Sequence, residues 1–320
     1  QVKGSSSIEA SVSFPKGKNV KEYTLNDASL TLNGKSLDTA ANFSSLTTGT
    51  YTLFLIAETE TGSKTTIAER SFTIVNDAWI QLTSNSFRDN YFEALAFFGD
   101  TERFLFKYQF KEGRNITIDP NWENKYLTTV TNTNGKRTTV HVDAAEHFKK
   151  AFDYMNTTNI RIHSAKRDTG IIKLSKLIST YDGTYVSRYV SGNVYISHHS
   201  FGTAIDINAS MVPNTNAASN WEIIRSEVED HLIYNGIKTE NGVSYYDFTY
   251  TGDRNTFHNN VPTSILNYLL YELAFYRAGF GWGYYYEHTC DAMHYTLSER
   301  DIAEHSAEKG LRKVYQYISE

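Results

Sequence analysis

The chain has 320 residues, with 31 Lys and Arg against 36 Asp and Glu and a formal charge of −5, a balance without a basic stripe that argues against nucleic acid or an anionic membrane as partner. Hydrophobic residues make up 40% and aromatic ones 14%, which excludes a chain too polar to build a core, while no apolar run approaches the roughly 18 residues of a membrane span. Cys290 is the single cysteine, which excludes an intrachain disulfide framework and a Cys-rich zinc site.

The length predicts two domains, and the texture of the chain agrees. Residues 1–75 read as short strands at 10–14, 29–32, 51–57 and 71–75, with turn signals at Asn33-Gly34 and at 58–62. This pattern predicts a small all-β sandwich and resembles the immunoglobulin-like modules of bacterial surface proteins. Residues 76–119 are expected to be a bridging segment or a second small β unit, and residues 120–320 an α+β domain. In that domain Asp143 is expected to cap a helix that buries Phe148, Ala151, Phe152 and Met155. Ser219 and Glu222 form a capping-box pattern for a second helix running to Gly236. Pro262 opens a third that Gly279 ends, and residues 298–318 read as a surface helix. Strands are expected at 159–163, 194–196 and 204–208. The start at Gln1, without Met or signal peptide, reads as a mature or trimmed product.

One segment carries chemistry: Ser197-His198-His199-Ser200-Phe201-Gly202-Thr203-Ala204-Ile205-Asp206. Alternation along 204–208 sends Ile205 and Ile207 to the core and Asp206 to the opposite face. Gly202 permits a sharp or close-packed backbone just before that strand, and His199 lies in the loop ahead of it. An imidazole and a carboxylate brought together supply two of the three protein ligands of a catalytic zinc. His294, in Asp291-Ala-Met-His294, is the natural third, with His288 as its competitor. Two histidines and one carboxylate leave a fourth position for water, and a nearby unligated carboxylate can take its proton.

The motif Ser-x-His-x-x-Gly-x-Ala-x-Asp, followed by a distal acidic-x-x-His, resembles the zinc D-alanyl-D-alanine carboxypeptidases and related peptidoglycan peptidases of the VanY type. The likeness covers roughly residues 120–320. It implies an α+β zinc peptidase domain of the hedgehog/D-Ala-D-Ala peptidase kind, preceded by the immunoglobulin-like module. It implies a zinc ion on His199, Asp206 and His294, with Asp291 as general base. Ser164-Ala165-Lys166-Arg167 resembles the family's Ser-Gly-x-Arg element, so the likeness makes Arg167 the residue that steadies the substrate carbonyl or oxyanion. The implied substrate is the peptide stem of bacterial peptidoglycan, which places the protein outside the cytoplasm, secreted or at the cell surface. Three departures stand out. Asp291 replaces the Glu common in the carboxypeptidases and is closer to the L-alanyl-D-glutamate endopeptidases. Tyr295 follows the last ligand in place of Trp or Phe. A Tyr-rich stretch at 243–260 lengthens the interval between Asp206 and Asp291 and points to a remodelled cleft. The alternatives are therefore an L-alanyl-D-glutamate endopeptidase and a non-catalytic zinc module of the hedgehog type.

The remaining histidines (141, 147, 163, 231, 258 and 305) lack partnered spacing and are expected at the surface or satisfied in the core, and His198 is expected to point away from the metal. Cys290 is expected to be a small buried hydrophobe. Tyr284, Tyr285 and Tyr286 fit the cleft or the core equally well.

Overall fold

A computed structural model describes residues 6–13, 29–32, 35–36, 49–58, 64–74, 79–82, 97–99, 102–111, 114–190, 196–212, 218–286 and 290–298. The chain forms two compact units, Gln1–Ile80 with Tyr108–Thr117, and Gln81–Lys107 with Ile118–Glu320.

In the first unit, β1 (Ser6–Ser13), β2 (Ser29–Leu32), β3 (Lys35–Ser36), β4 (Gly49–Glu58) and β5 (Lys64–Ile74) lie in one sheet of order β3-β2-β1-β4-β5. Neighbours are antiparallel except β1 and β4, which run parallel. The antiparallel β2–β3 pair flanks Asn33-Gly34, as the turn signal predicts. β5 begins at Lys64 rather than Ser71, because its pairing with β4 extends to Glu58↔Lys64.

In the second unit the 3-10 turn Glu102–Phe104 precedes α1 (Pro120–Tyr126), whose N-cap Asp119 accepts a hydrogen bond from the Asn121 N–H at 2.9 Å. The hairpin β6 (Leu127–Thr131) and β7 (Arg137–His141) follows. α2 (Ala145–Thr157) buries Phe148, Ala151, Phe152 and Met155 at helical spacing. Its N-cap, however, is Ala144 and makes no side-chain cap bond; Asp143 instead pairs with Arg103 at 2.6 Å. α3 (Ala218–Glu229) already includes Ser219, so that residue is not its cap, and the helix stops well before Gly236. Leu232 instead starts a strand, and Gly236, at φ 88°, sits where that strand's register shifts between Tyr234 and Ile237. Ile224, Val228 and Leu232 keep one helical spacing, yet the chain turns at Asp230 and leaves the helix there.

Two four-stranded sheets organise this unit. One contains β8 (Asn159–His163), β9 (Ile172–Lys173), β12 (Leu232–Glu240) and β13 (Val243–Tyr250) in the order β9-β8-β13-β12. The Tyr-rich stretch thus supplies a strand that pairs in parallel with β8. The other contains β10 (Tyr181–Gly183), β11 (Ala204–Ile207), β14 (Gly281–Trp282) and β15 (His294–Thr296) in the order β10-β11-β15-β14.

The helical run from Thr263 to Ala278 packs into the core, its middle being α4 (Leu266–Leu270) continued by a single π turn, Tyr271–Phe275. Every residue from Ile265 to Phe275 is buried, Asn267 and Glu272 included, so the run is enclosed on all sides, as a central helix should be. Pro262 precedes it, and Gly279, at φ 92°, ends it. Phe148 of α2 meets Phe280 with ring centroids 5.0 Å apart. Trp282, Tyr284 and Tyr285 are buried beside Tyr271, which resolves those aromatics to the core. Phe104 stacks on His141 at 4.3 Å, and Phe106 lies 5.4 Å from Phe201. Of the predicted 194–196 strand only Ile196 is described, bridged to Tyr189. Ser298 is buried, and the rest of the predicted terminal helix lies outside the described residues. No helix among the described residues is long and apolar enough to cross a membrane.

Candidate active site

Each fixed position of the 197–206 segment has a structural reason. Ser197 caps the 3-10 turn His198–Phe201, its side chain accepting from the His199 N–H at 3.3 Å. Gly202 ends that turn at φ 68°, where a Cβ would stand 2.6 Å from the His141 backbone nitrogen. Any side chain there would be strained by its dihedral and excluded by the β7 backbone. Ala204 is wholly buried. In β11, Asp206 lies directly opposite His294 of β15, as Ile205 lies opposite Tyr295. The antiparallel register therefore puts carboxylate and imidazole on one face and the two large apolar side chains on the other.

The side chains of His199, Asp206 and His294 converge, each offering a ligand atom within 4.8 Å of the others. Asp206 Oδ1 is 2.8 Å from His294 Nδ1, and its Oδ2 is 3.1 Å from His199 Nε2. The two ring nitrogens are 3.2 Å apart. His199 Nδ1–H donates to the Thr184 carbonyl at 2.7 Å, which fixes the tautomer with the Nε2 lone pair facing its partners. Ligand atoms about 2.0–2.1 Å from a tetrahedral zinc lie about 3.3 Å from one another, so this donor set fits a zinc ion in both spacing and chemistry. Burial works to raise the Asp206 carboxyl, but the hydrogen bonds and charge of His199 and His294 outweigh it and hold the group well below the usual carboxylate range. The carboxylate is thus ionised and ready to bind a cation.

Asp291 stands at the edge of this cluster. Its N–H donates to Gly283 O at 3.0 Å, and its carbonyl accepts from the His294 N–H at 3.1 Å. Gly283 has no room for a Cβ, which would come 2.5 Å from Asp291 O. Asp291 Oδ1 is shielded from solvent and has no hydrogen-bond partner among the described residues. Burial pushes its carboxyl up; His294 opposes that and Asp206 adds to it. A carboxyl pushed up by burial beside a donor set that could hold a metal has properties suited to a general base. Cys290 next to it is fully buried, its thiol pushed up to about 12 by burial and by Asp291.

A residue outside the motifs ties the two segments together. Asn267 on α4 donates from Nδ2 to the carbonyls of Ile207 at 2.8 Å and Ala292 at 2.9 Å. Its Oδ1 accepts from Asn208 Nδ2 at 2.9 Å. The bonded carbonyls belong to the residues immediately after Asp206 and Asp291, so one buried amide sets the strand of Asp206 against the segment of Asp291. The only sequence signal was an amide inside the apolar run Ile265-Leu-Asn-Tyr-Leu-Leu270.

Arg167 lies elsewhere. Ser164 Oγ accepts from the Arg167 N–H at 3.0 Å, making a tight turn after β8. The guanidinium sits 4.0 Å over the Phe257 ring and donates to Asn260 Oδ1 at 3.3 Å. It lines an open polar cavity of about 830 Å³ together with Arg161, Lys166, Lys238 and Asp247, and no described contact joins it to the three ligands or to Asp291. The arginine that the fold does bring to the ligands is Arg188, whose Nη2 is 3.8 Å from Asp206 Oδ2. His288 lies outside the described residues. His198 is buried, with its ring centroid 6.3 Å from that of His294, and His141 is held in the core by the Asp143 N–H and the Arg103 carbonyl.

No curated protein and no solved structure matches the chain. Residues 191–297 match the family model described as D-alanyl-D-alanine carboxypeptidase, so the segment that holds His199, Asp206, Asp291 and His294 carries the likeness to that peptidase family first read from its motifs.

Proposed function

We propose that the chain is a zinc-dependent peptidase that hydrolyses peptide stems of bacterial peptidoglycan, acting as a D-alanyl-D-alanine carboxypeptidase. The observation that carries this reading is the buried His199–Asp206–His294 donor set with the shielded carboxyl of Asp291 beside it. A zinc ion held there supplies a Lewis acid for the scissile carbonyl and acidifies water at neutral pH. Asp291 takes the proton of the attacking water and passes it to the departing amine. Thr184 holds the His199 ring in its donor orientation, and Asn267 keeps Asp291 in register with Asp206. Tyr286, with its ring 6.0 Å from that of His294, borders the site. A non-catalytic zinc module would have no use for a shielded carboxylate oxygen that finds no hydrogen-bond partner among the described residues, which favours the enzyme. Asp rather than Glu at 291 favours cleavage between L-Ala and D-Glu as the second reading.

A wall substrate puts the protein outside the cytoplasm. Residues 1–75, with five strands in one sheet, act as an immunoglobulin-like module that contributes no ligand or base, and residues 120–320 as the peptidase domain, joined by residues 76–119. Incubation with defined stem peptides, with and without chelator, and mass analysis of the products tests the reading. Chelator-sensitive release of a terminal D-Ala supports it, cleavage after L-Ala selects the second reading, and no cleavage refutes both.

A further inference from the structure

We propose that Glu123, Thr138 and Tyr185 are positioning residues for the metal centre. Together they lock the peptide unit whose carbonyl holds the His199 ring, so that zinc affinity depends on side chains outside the ligand motif; this rests on the zinc reading above. An imidazole has two neutral tautomers, and only the one protonated on Nδ1 offers Nε2 to a metal. In this chain that choice falls to the Thr184 carbonyl, which accepts from His199 Nδ1–H at 2.7 Å. No substitution at 184 removes a backbone carbonyl, so control lies in whatever fixes its direction.

A peptide unit is planar, so the direction of its carbonyl follows from the two Cα atoms that it joins. Here both residues are anchored by their own side chains, and to two different elements. On one side, Thr184 is buried and its hydroxyl meets the Thr138 hydroxyl of β7 at 2.7 Å. On the other, the Tyr185 hydroxyl donates to Glu123 Oε1 of α1 and accepts from Ser187 Oγ at 3.0 Å. Burial first, and then the Glu123 carboxylate, hold that phenol above its usual range, so it remains a donor. The backbone closes the frame. Gly183 lies opposite Asp206 in the β10–β11 pair, and the Val186 N–H donates to the His199 carbonyl at 3.2 Å. The segment 183–186 is thus tied at its two ends to positions 206 and 199, while the peptide between Thr184 and Tyr185 is clamped from β7 and α1. Glu123, Thr138 and Tyr185 all lie outside the 191–297 segment that carries the family likeness. Losing a group that orients a metal ligand typically costs about 10- to 100-fold in metal affinity, and two anchors share that hold here.

The test measures zinc affinity of the full chain by competition with a chromophoric chelator, with zinc alone as the probe. Thr138→Val and Tyr185→Phe each keep the shape of the side chain and remove one hydroxyl. Each should weaken zinc by about 3- to 10-fold, and the double variant by about 10- to 100-fold. Thr138→Ser and Glu123→Gln retain a hydroxyl or an acceptor oxygen and should stay within about twofold of wild type. Proton NMR of the zinc-loaded protein supplies a reading that a general loss of stability would not move: in the double variant the His199 Nδ1–H resonance should shift upfield as its hydrogen bond lengthens. Equal zinc affinity in wild type and the double variant would overturn the proposal. So would an unmoved Nδ1–H resonance, or losses in Thr138→Ser and Glu123→Gln as large as in the variants that remove a hydroxyl. If the double variant does not fold, the two single variants carry the same decision. A wild-type chain that takes up no zinc would instead refute the metal reading itself.

Discussion

The two four-stranded sheets of the second unit carry ionisable clusters of opposite character. At the β11–β15 pair and the turn that leads into it, the side chains of His199, Asp206 and His294 are 1%, 11% and 8% exposed. On the other sheet, Arg161 of β8 bridges Asp168, in the turn after β8, and Glu240 at the end of β12, with side chains 30%, 43% and 51% exposed. Water screens the second cluster and makes it inexpensive to form and to lose. The first has given up water, and its two ring nitrogens face each other at 3.2 Å, an arrangement best satisfied by a shared cation. Burial, more than the number of charges, separates a reactive centre from a decorated surface.

The largest expected effect comes from emptying the buried cluster. The double variant His199→Ala/His294→Ala should lose its zinc, measured by metal analysis, and its chelator-sensitive hydrolysis. Retention of full zinc would break the contrast. Asp291→Ala should keep the metal and lose about 10²–10⁴-fold in kcat, with much less change in substrate binding; near-normal turnover would assign the base elsewhere.

Acidification sharpens the same comparison. Imidazole ligands bind metal in their neutral form, whose reference value is about 6.5. A depressed carboxyl contributes its stabilisation above its unfolded value and loses it only as pH falls through its lower folded value. Asp206 therefore stays ionised through mild acid, so acidification should release zinc by proton competition for the donor set as a whole, read by metal analysis across a pH series. Zinc retained until the chain itself unfolds in acid would break the comparison.

Gly202→Ala should lower stability by about 2–4 kcal/mol in urea unfolding, because both the dihedral and the space beside His141 forbid a Cβ. Arg161→Ala, in the exposed cluster, should leave the urea midpoint within the scatter of wild type. Asp168 is held below the usual carboxylate range first by its hydrogen bond from Arg161. The small contribution of that pair is present above the ordinary carboxylate value and disappears as pH falls through the lowered one. A large midpoint shift at neutral pH would show that exposure does not distinguish the clusters.

The orientation of Asp206 toward His199 was legible because alternation in 204–208 is local: a strand with Ile205 and Ile207 inward must turn Asp206 outward. His294 was legible through its spacing from Asp291, although the strand register that sets it opposite Asp206 is a long-range fact. Helix ends misled where tertiary contacts took over from local caps, as when Arg103 drew Asp143 away from α2. Asn267 escaped because its partners are backbone carbonyls at 207 and 292, which leave no mark on the residues that own them. Arg188 escaped for a related reason, since what aims it is the strapping of 184–188 along the 197–200 turn rather than any motif of its own.

The position of Cys290 turns the protein into its own strain gauge. The single thiol of the chain is sealed one residue from Asp291 and pushed up to about 12, so in the closed state it offers an alkylating reagent almost no thiolate. Labelling then requires the 290–294 segment to lift away from its neighbours, and the labelling rate in the fast-reclosing limit reports the free energy of that opening. Zinc should slow the reaction by clamping His294 to β11, while Asn267→Ala should hasten it. One cysteine, read by mass shift over time, thereby follows the mechanical coupling between the Asp291 segment and the strand of Asp206 without any substrate present.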